Sequence, residues 1–325
     1  MSEILPKVPL GRTGMEITRV GFGAWAIGGG DWAFAWGPQD DEQSVAGIRY
    51  AIESGINWID TAAVYGLGHS EEVVARALRD MPAADRPYVF TKGGLVWDDA
   101  DRRKPPVRSG AAASLRGEVE ASLTRLGVEK IDLYQMHWPA ADGTPIEEYW
   151  QTFLDLKAEG KVGAVGLSNH DVAQLDAAEA LGHVDSLQPP FSAIETGAAE
   201  DVLPWSADHE TGVIVYSPMG SGLLTGAFTA ERVAGLPDDD WRRSSPQFTT
   251  ELEQNLRVVE AMKRIAERHD VPTPAAAVAW TLGFRGVTGA IVGARSAAQI
   301  DGWLAAATLT LTKQDYDEVE QARTA

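Results

Sequence analysis

A chain of 325 residues with 44% hydrophobic and 23% charged side chains has the composition of a globular protein with a sizeable core, which excludes intrinsic disorder and fibrous repeats. Its 47 acidic residues outnumber the 28 basic ones, for a net charge of −19, a balance that repels nucleic acid and anionic lipid over most of the surface. Cysteine is absent, which removes disulfides, thiolate metal sites and cysteine nucleophiles; with no leader pattern in residues 1–7 and no apolar run of about 18 residues, the expected setting is cytoplasmic, away from membranes.

In chain order, residues 8–18 read as two short strands about a glycine-flanked turn, a hairpin placed to plug the bottom of a barrel. Eight short, mostly uncharged β-rich runs follow, at 20–27, 57–60, 88–91, 131–137, 162–167, 184–188, 212–216 and 289–292. Between them lie segments of helical spacing at 41–53, 71–79, 111–126, 146–158 and 171–181, with further helices at 251–267 and 274–282 near the C-terminus. Eight strand-helix units with strands suited to burial on both faces predict a closed (β/α)8 TIM barrel rather than an open doubly wound sheet. No Pro/Ser-rich linker interrupts residues 1–325, so one domain is expected; the long interval before the eighth strand, with its polar loop at 236–247, is where extra functional loops belong.

In such a barrel the chemistry sits at the C-terminal ends of strands. The second strand ends in Asp60-Thr61-Ala62-Ala63-Val64-Tyr65-Gly66, the third in Thr91-Lys92-Gly93-Gly94 and the fourth in Met136-His137-Trp138-Pro139. Singly, such an Asp also serves as a helix cap, the Tyr as packing, the Lys as a solvated charge and the His as a core residue. Together they equip a site for carbonyl reduction by an external hydride. Tyr65 holds a proton to give to a developing alkoxide, Lys92 is expected to lower its pKa, Asp60 to keep the lysine charged, and His137 to hydrogen-bond the carbonyl oxygen.

This order and spacing closely resembles the aldo-keto reductases over nearly the whole chain, from Gly21-Phe22-Gly23-Ala24-Trp25 onward. The resemblance implies a nicotinamide cofactor bound without a Rossmann domain, and it makes Asp60, Tyr65, Lys92 and His137 the catalytic tetrad. It also implies a carboxamide site at Ser168, Asn169 and Gln188, beside Asp60. Tyr216 would stack on the ring, and Gly23, Ala24 and Trp25 would line the mouth. Ser217, Pro218, Met219, Ser221 and Leu224 fall in the resembling pyrophosphate loop, and Gly293, Arg295 and Gln299 in the adenosine-phosphate site. Arg295 as partner of a ribose 2′-phosphate favours NADP(H) over NAD(H). Gly302-Trp303 stands where relatives often carry Glu-Asn; no metal is called for.

Substrate contacts are expected from loops at 28–39, 97–109, after Trp138 and at 236–247. Trp25, Trp32, Trp97 and Trp138, with Trp36, make that rim rich in indole, a surface suited to a sugar or aryl carbonyl, and the sequence is weakly similar to bacterial sugar- and inositol-linked reductases. The cluster Arg102, Arg103, Lys104 and Arg108 reads as solvated loop charge, whereas Arg242 or Arg243 has cofactor phosphate as a second reading. Two other functions compete: a cofactor-sensing regulatory subunit like the potassium-channel β subunits, and a barrel enzyme using Lys92 as a Schiff-base amine.

Overall fold

The computed structural model describes residues 5–237 and 240–325; the expectation placed on the extreme N-terminus falls partly outside these, as do Asp238 and Asp239 of the 236–247 loop. Twelve strands are present among them: β1 (Lys7–Pro9), β2 (Glu16–Thr18), β3 (Val20–Gly23), β4 (Trp58–Asp60), β5 (Tyr88–Gly93), β6 (Leu95–Val96), β7 (Val107–Arg108), β8 (Ile131–Met136), β9 (Val162–Ser168), β10 (Ser186–Gln188), β11 (Gly212–Val215) and β12 (Val287–Gly293). Eight of them close a parallel barrel in the order β3, β4, β5, β8, β9, β10, β11, β12 and back to β3, as the eight-unit count predicts. Because all pairs are parallel, with Gly23 beside both Asp60 and Gly293 and Lys92 beside Gln135, and the register shift of β11 on β12 at Val213/Ile214 is confined to the lower part of the strand, every strand delivers its C-terminal residues to one rim.

The helices are α1 (Asp41–Glu53), α2 (His69–Leu78), α3 (Ala112–Leu126), α4 (Ile146–Ala158), α5 (Val172–Glu179), α6 (Val202–His209), α7 (Ala230–Ala234), α8 (Leu252–Arg268), α9 (Thr273–Leu282), α10 (Ala297–Leu304) and α11 (Lys313–Thr324). Their limits are chemical. Asp40 caps α1 by accepting from the Gln43 backbone N–H, and Asp171 and Gln174 form a reciprocal capping box on α5. The buried residues Val45, Ile48 and Ala51 on α1, and Val258, Met262 and Ile265 on α8, recur at helical spacing and face the barrel. Helix α6 escapes the sequence reading because Pro204 interrupts its pattern; the proline falls in the first turn, where its missing N–H costs nothing. No helix among the described residues is long and apolar enough to cross a membrane.

The hairpin β1–β2 plugs the barrel bottom: Leu10, Met15 and Ile17 pack with Trp58, Phe90, Leu133, Ala164, Ile214 and Ile291 in one buried cluster. The Trp58 indole N–H donates to the Thr18 carbonyl at 2.8 Å, and its ring lies so close to Gly21 that a Cβ there would stand 2.2 Å from it. Glycine in β3 is therefore a packing requirement of the plug.

Two expectations need correction. The run 20–27 is not one strand: β3 ends at Gly23, the Ala24 N–H bonds to the Asp60 carbonyl, and Trp25–Ile27 forms a 3-10 turn. The segment after β5 is not featureless loop, since β6 and β7 form an antiparallel hairpin beside the rim.

Candidate active site

Four strands supply the floor. Asp60 ends β4, Lys92 lies on β5, Gln135 on β8 and Gln188 ends β10, all buried. The Lys92 ammonium donates to Asp60 Oδ1 and, at 2.9 Å, to the Thr61 carbonyl; Gln188 Nε2 donates to Asp60 Oδ2 at 2.9 Å. Burial pulls each partner toward its neutral form, Lys92 downward and Asp60 upward, and their mutual attraction opposes both shifts. Tyr65 stands half-buried above, with Lys92 Nζ 5.2 Å from its ring centre and the His137 ring edge-on at 5.6 Å. The turn that carries Tyr65 is held from behind by Ser70 of α2, whose hydroxyl donates to the Ala24 carbonyl and meets Thr61 Oγ1 at 2.9 Å.

This geometry corrects the expected effect of Lys92 on Tyr65. The lysine's hydrogen bonds go to Asp60 and Thr61, so the pair is nearly neutral as a unit, and burial followed by the Asp60 carboxylate pushes the phenol well above its ordinary pKa. Tyr65 is a proton reservoir at neutral pH rather than an incipient phenolate. Burial, Lys92 and Arg108 hold His137 well below its usual pKa, so its imidazole is neutral, and its Nδ1 has no partner among the described residues.

A polar shelf adjoins the floor. Ser168 Oγ donates to the Gln188 carbonyl at 2.9 Å, Asn169 Nδ2 to the His137 carbonyl at 3.0 Å, and the Tyr216 phenol to Asn169 Oδ1 at 2.7 Å. Asn169 adopts a left-handed backbone (φ 64°), which non-glycine residues visit mainly at sites where the surroundings enforce it. His170 follows Asn169 and is buried. The structure ties its Nδ1 to the Ser168 carbonyl and its Nε2 to the Tyr149 hydroxyl, both at 2.8 Å, so it supports the shelf from below.

A neutral His170 can make both bonds, and burial, which disfavours the charged ring, lowers its pKa to about 4. The sign follows: above its unfolded pKa of about 6.5 neither state binds the proton, and as pH falls toward 4 only the unfolded chain does. Stability should fall by about 3 kcal/mol over that window on this group alone. Urea unfolding at pH 7.5 and pH 4.5 should show a smaller acid loss in His170→Gln than in the parent; equal losses would assign the effect elsewhere.

The next loop, Ser217 to Gly226, holds Ser217, Gly220, Ser221, Gly222 and Gly226 in left-handed conformations, the backbone style that turns successive N–H groups toward an anion. Trp241 stacks on Trp25 at 6.4 Å and meets Trp36 edge-on, bringing the loop after β11 against the loop after β3. Arg242 reaches the cavity, but it forks Asp240 with Nε at 2.9 Å from Oδ1. Arg243 Nη1 donates to the Leu236 carbonyl and does not line the cavity. Arg295 stands on the wall with Nε on Gln39 Oε1 at 2.5 Å, and it also donates to the Trp36 and Pro38 carbonyls.

The resulting cavity has a volume of about 1110 Å³, beyond the usual range for a single small ligand. It brings together Gly23, Ala24, Trp25, Trp32, Asp60, Tyr65, His137, Trp138, Ser168, Asn169, Gln188, Tyr216, Ser217, Pro218, Met219, Ser221, Gly293, Arg295 and Gln299. Two expectations place differently. Leu224 is fully buried in a 3-10 turn, its N–H already given to the Met219 carbonyl. Trp97 packs beside the rim cluster with its indole N–H on Asp99 and does not line the cavity. Lys92 lies behind Tyr65, beside it as expected. Trp303 is buried against the cavity with its indole nitrogen unpartnered among the described residues, and Gly302 beside it leaves open space. Phe34 joins the wall from the expected 28–39 loop, whereas Phe228 and Arg232 join it without a sequence signal, because only the loop paths bring them there.

Residues 19–324 match the model of the Aldo/keto reductase family. The chain is an aldo-keto reductase. It is 35% identical over 309 residues to the aldo-keto reductase YhdN of Bacillus subtilis, covering 94% of this chain and 90% of that one. It is 34% identical to the NADH-specific methylglyoxal reductase of Escherichia coli, covering 96% of each. Among solved structures, the glycerol dehydrogenase of Gluconobacter oxydans superposes with a TM-score of 0.88 at 36% identity, over 97% of this chain and 94% of the other. The family's oxidoreductases use nicotinamide cofactors, and the cavity fits one. It offers amide and hydroxyl groups for a carboxamide, left-handed backbone for phosphates and an arginine at the far end.

Proposed function

We propose that this aldo-keto reductase reduces an aldehyde or ketone, of the sugar or aryl type that an indole-lined mouth accepts, to the alcohol with NADP(H). The observation that carries the reading is the buried Lys92–Asp60 pair beneath a protonated Tyr65, with neutral His137 edge-on to the phenol at the cavity floor. When bound, the nicotinamide supplies the hydride. Tyr65 gives its proton to the carbonyl oxygen as charge builds there, and His137 donates a hydrogen bond that orients that oxygen. Lys92, fixed by Asp60 and Thr61, would hold the floor beneath the phenol, 5.2 Å from its ring centre. Ser168, Asn169 and Gln188 would hold the carboxamide, with Tyr216 against the ring; Ser217, Pro218, Met219 and Ser221 would hold the phosphates. Residues 1–325 would act as one domain, in a cytoplasmic setting.

Preference for NADP(H) rests on Arg295, which with Gln299 would receive the 2′-phosphate after exchanging its bonds to Gln39, Trp36 and Pro38. The Escherichia coli relative, named as NADH-specific, makes this the point to test. Tryptophan quenching should show NADPH binding about tenfold tighter than NADH, with Arg295→Gln removing the difference. A parent that favours NADH would leave Arg295 as a loop tie. Turnover with a panel of aldehydes, ketones and sugars completes the test; tight cofactor binding with no carbonyl reduced would overturn the reductase reading.

A further inference from the structure

The cavity wall reverses the charge of the molecule. Against 47 acidic and 28 basic residues in the chain, the wall carries one carboxylate, Asp60, already paired with Lys92, and four arginines, Arg108, Arg232, Arg242 and Arg295. Three of the four are occupied. Arg232 donates to the Ala227 carbonyl at 3.0 Å, Arg242 forks Asp240, and Arg295 is tied to Gln39, Trp36 and Pro38.

Arg108 differs: among the described residues its side chain has no hydrogen-bond acceptor and no ion-pair partner. It stands on β7, at the end of the cavity that holds Tyr65, His137 and Trp138. Its guanidinium lies over the Trp138 ring, 4.2 Å from the centre, and such stacking fixes the plane while leaving the N–H edges open. The nearby carboxylate of Asp142 is taken up instead by Ser109 Oγ at 2.7 Å and by the Gly110 and Thr144 N–H groups. The surrounding wall of Leu95, Pro105 and Trp32 offers nothing else to an anion. In a molecule whose long-range field repels anions, a stacked, unclaimed guanidinium beside the reacting centre is a local receptor.

We propose that the substrate carries an oxyanion, a carboxylate or a phosphate, on the part of the molecule remote from its carbonyl, and that Arg108 receives it. This rests on the reductase reading and makes Arg108 a specificity-determining residue. Arg108 is itself exposed, as the solvated-charge reading expects, and the proposal adds an anion to its open N–H edge; Arg103 and Lys104 are paired to Asp31 and Asp98 at the exposed loop.

The test uses the cofactor-loaded enzyme with three aldehydes of similar length: 4-oxobutanoate, its uncharged amide, and the phosphate monoester of 3-hydroxypropanal. The parent should favour a charged aldehyde over the amide by about tenfold or more in kcat/KM, mainly through KM, a ratio matching one charge-assisted hydrogen-bonded pair. Arg108→Gln should bring the ratio near one, and Arg108→Lys should restore part of it. Which charged aldehyde wins identifies the anion. A parent without preference, or a preference that survives Arg108→Gln, overturns the proposal. If the amide and a wider panel of neutral carbonyls are also inert, the reductase reading fails separately. Succinate binding, read by tryptophan fluorescence, then decides: saturable quenching lost in Arg108→Gln supports the receptor, and none in the parent overturns it.

Discussion

Tyr65→Phe should lower kcat by about 10²- to 10⁴-fold while leaving the NADPH dissociation constant within about twofold of the parent. The ring's contacts survive the change: it stacks near Trp25 at 6.1 Å, faces Trp32 at 6.5 Å and meets His137 edge-on. Only the hydroxyl is lost, and with it the proton for the carbonyl oxygen. Because burial and Asp60 raise the phenol's pKa, the parent should reduce its substrate at an undiminished rate through neutral pH and decline only in strongly alkaline solution. Residual turnover in the variant should lack that alkaline decline. Single-turnover kinetics with preloaded cofactor separates the outcomes: parent-like rates in Tyr65→Phe would place the proton donor elsewhere, whereas a loss of cofactor affinity would mean that the ring positions the nicotinamide.

The second large effect concerns the ion pair beneath the phenol. Lys92→Met leaves the Asp60 carboxylate buried with Gln188 as its remaining donor, and Asp60→Asn leaves the Lys92 ammonium with only the Thr61 carbonyl among its present acceptors. Each single change should cost about 3–5 kcal/mol, the usual consequence of stranding one buried charge. The double variant strands none and should be more stable than the sum of the two losses predicts by about 2 kcal/mol or more. Urea unfolding of the four proteins gives the cycle. Strict additivity would show that the two groups do not share a charge, and Lys92 would then act on Tyr65 independently. All three variants should be poor catalysts, so stability, not turnover, is the deciding quantity.

Where these groups lie along the chain was legible because the barrel imposes a repeat. An apolar strand followed by an amphipathic helix eight times over marks the strand ends, and Asp60, Tyr65, Lys92 and His137 stand at three neighbouring ones. Helices capped by their own side chains, such as α1 after Asp40, were readable to the residue, while α6, with Pro204 in its first turn, was not. Leu224 shows the limit of motif reasoning: the loop is glycine-rich as expected, but one 3-10 turn sends this side chain into the core.

The amino-acid sequence by itself carried the barrel and its N-terminal plug, and it put Asp60, Tyr65, Lys92 and His137 at or just past strand ends, since periodicity and strand-end position are local properties carried by neighbouring residues. Only the tertiary structure decided the charges and partners. Lys92 spends its hydrogen bonds on Asp60 and Thr61, Arg295 is bound to a loop some 256 positions earlier, and Arg108 lies over Trp138 without an acceptor among the described residues. Protonation and pairing depend on burial and on which distant groups the fold brings within about 4 Å, and no pattern along the chain contains that distance.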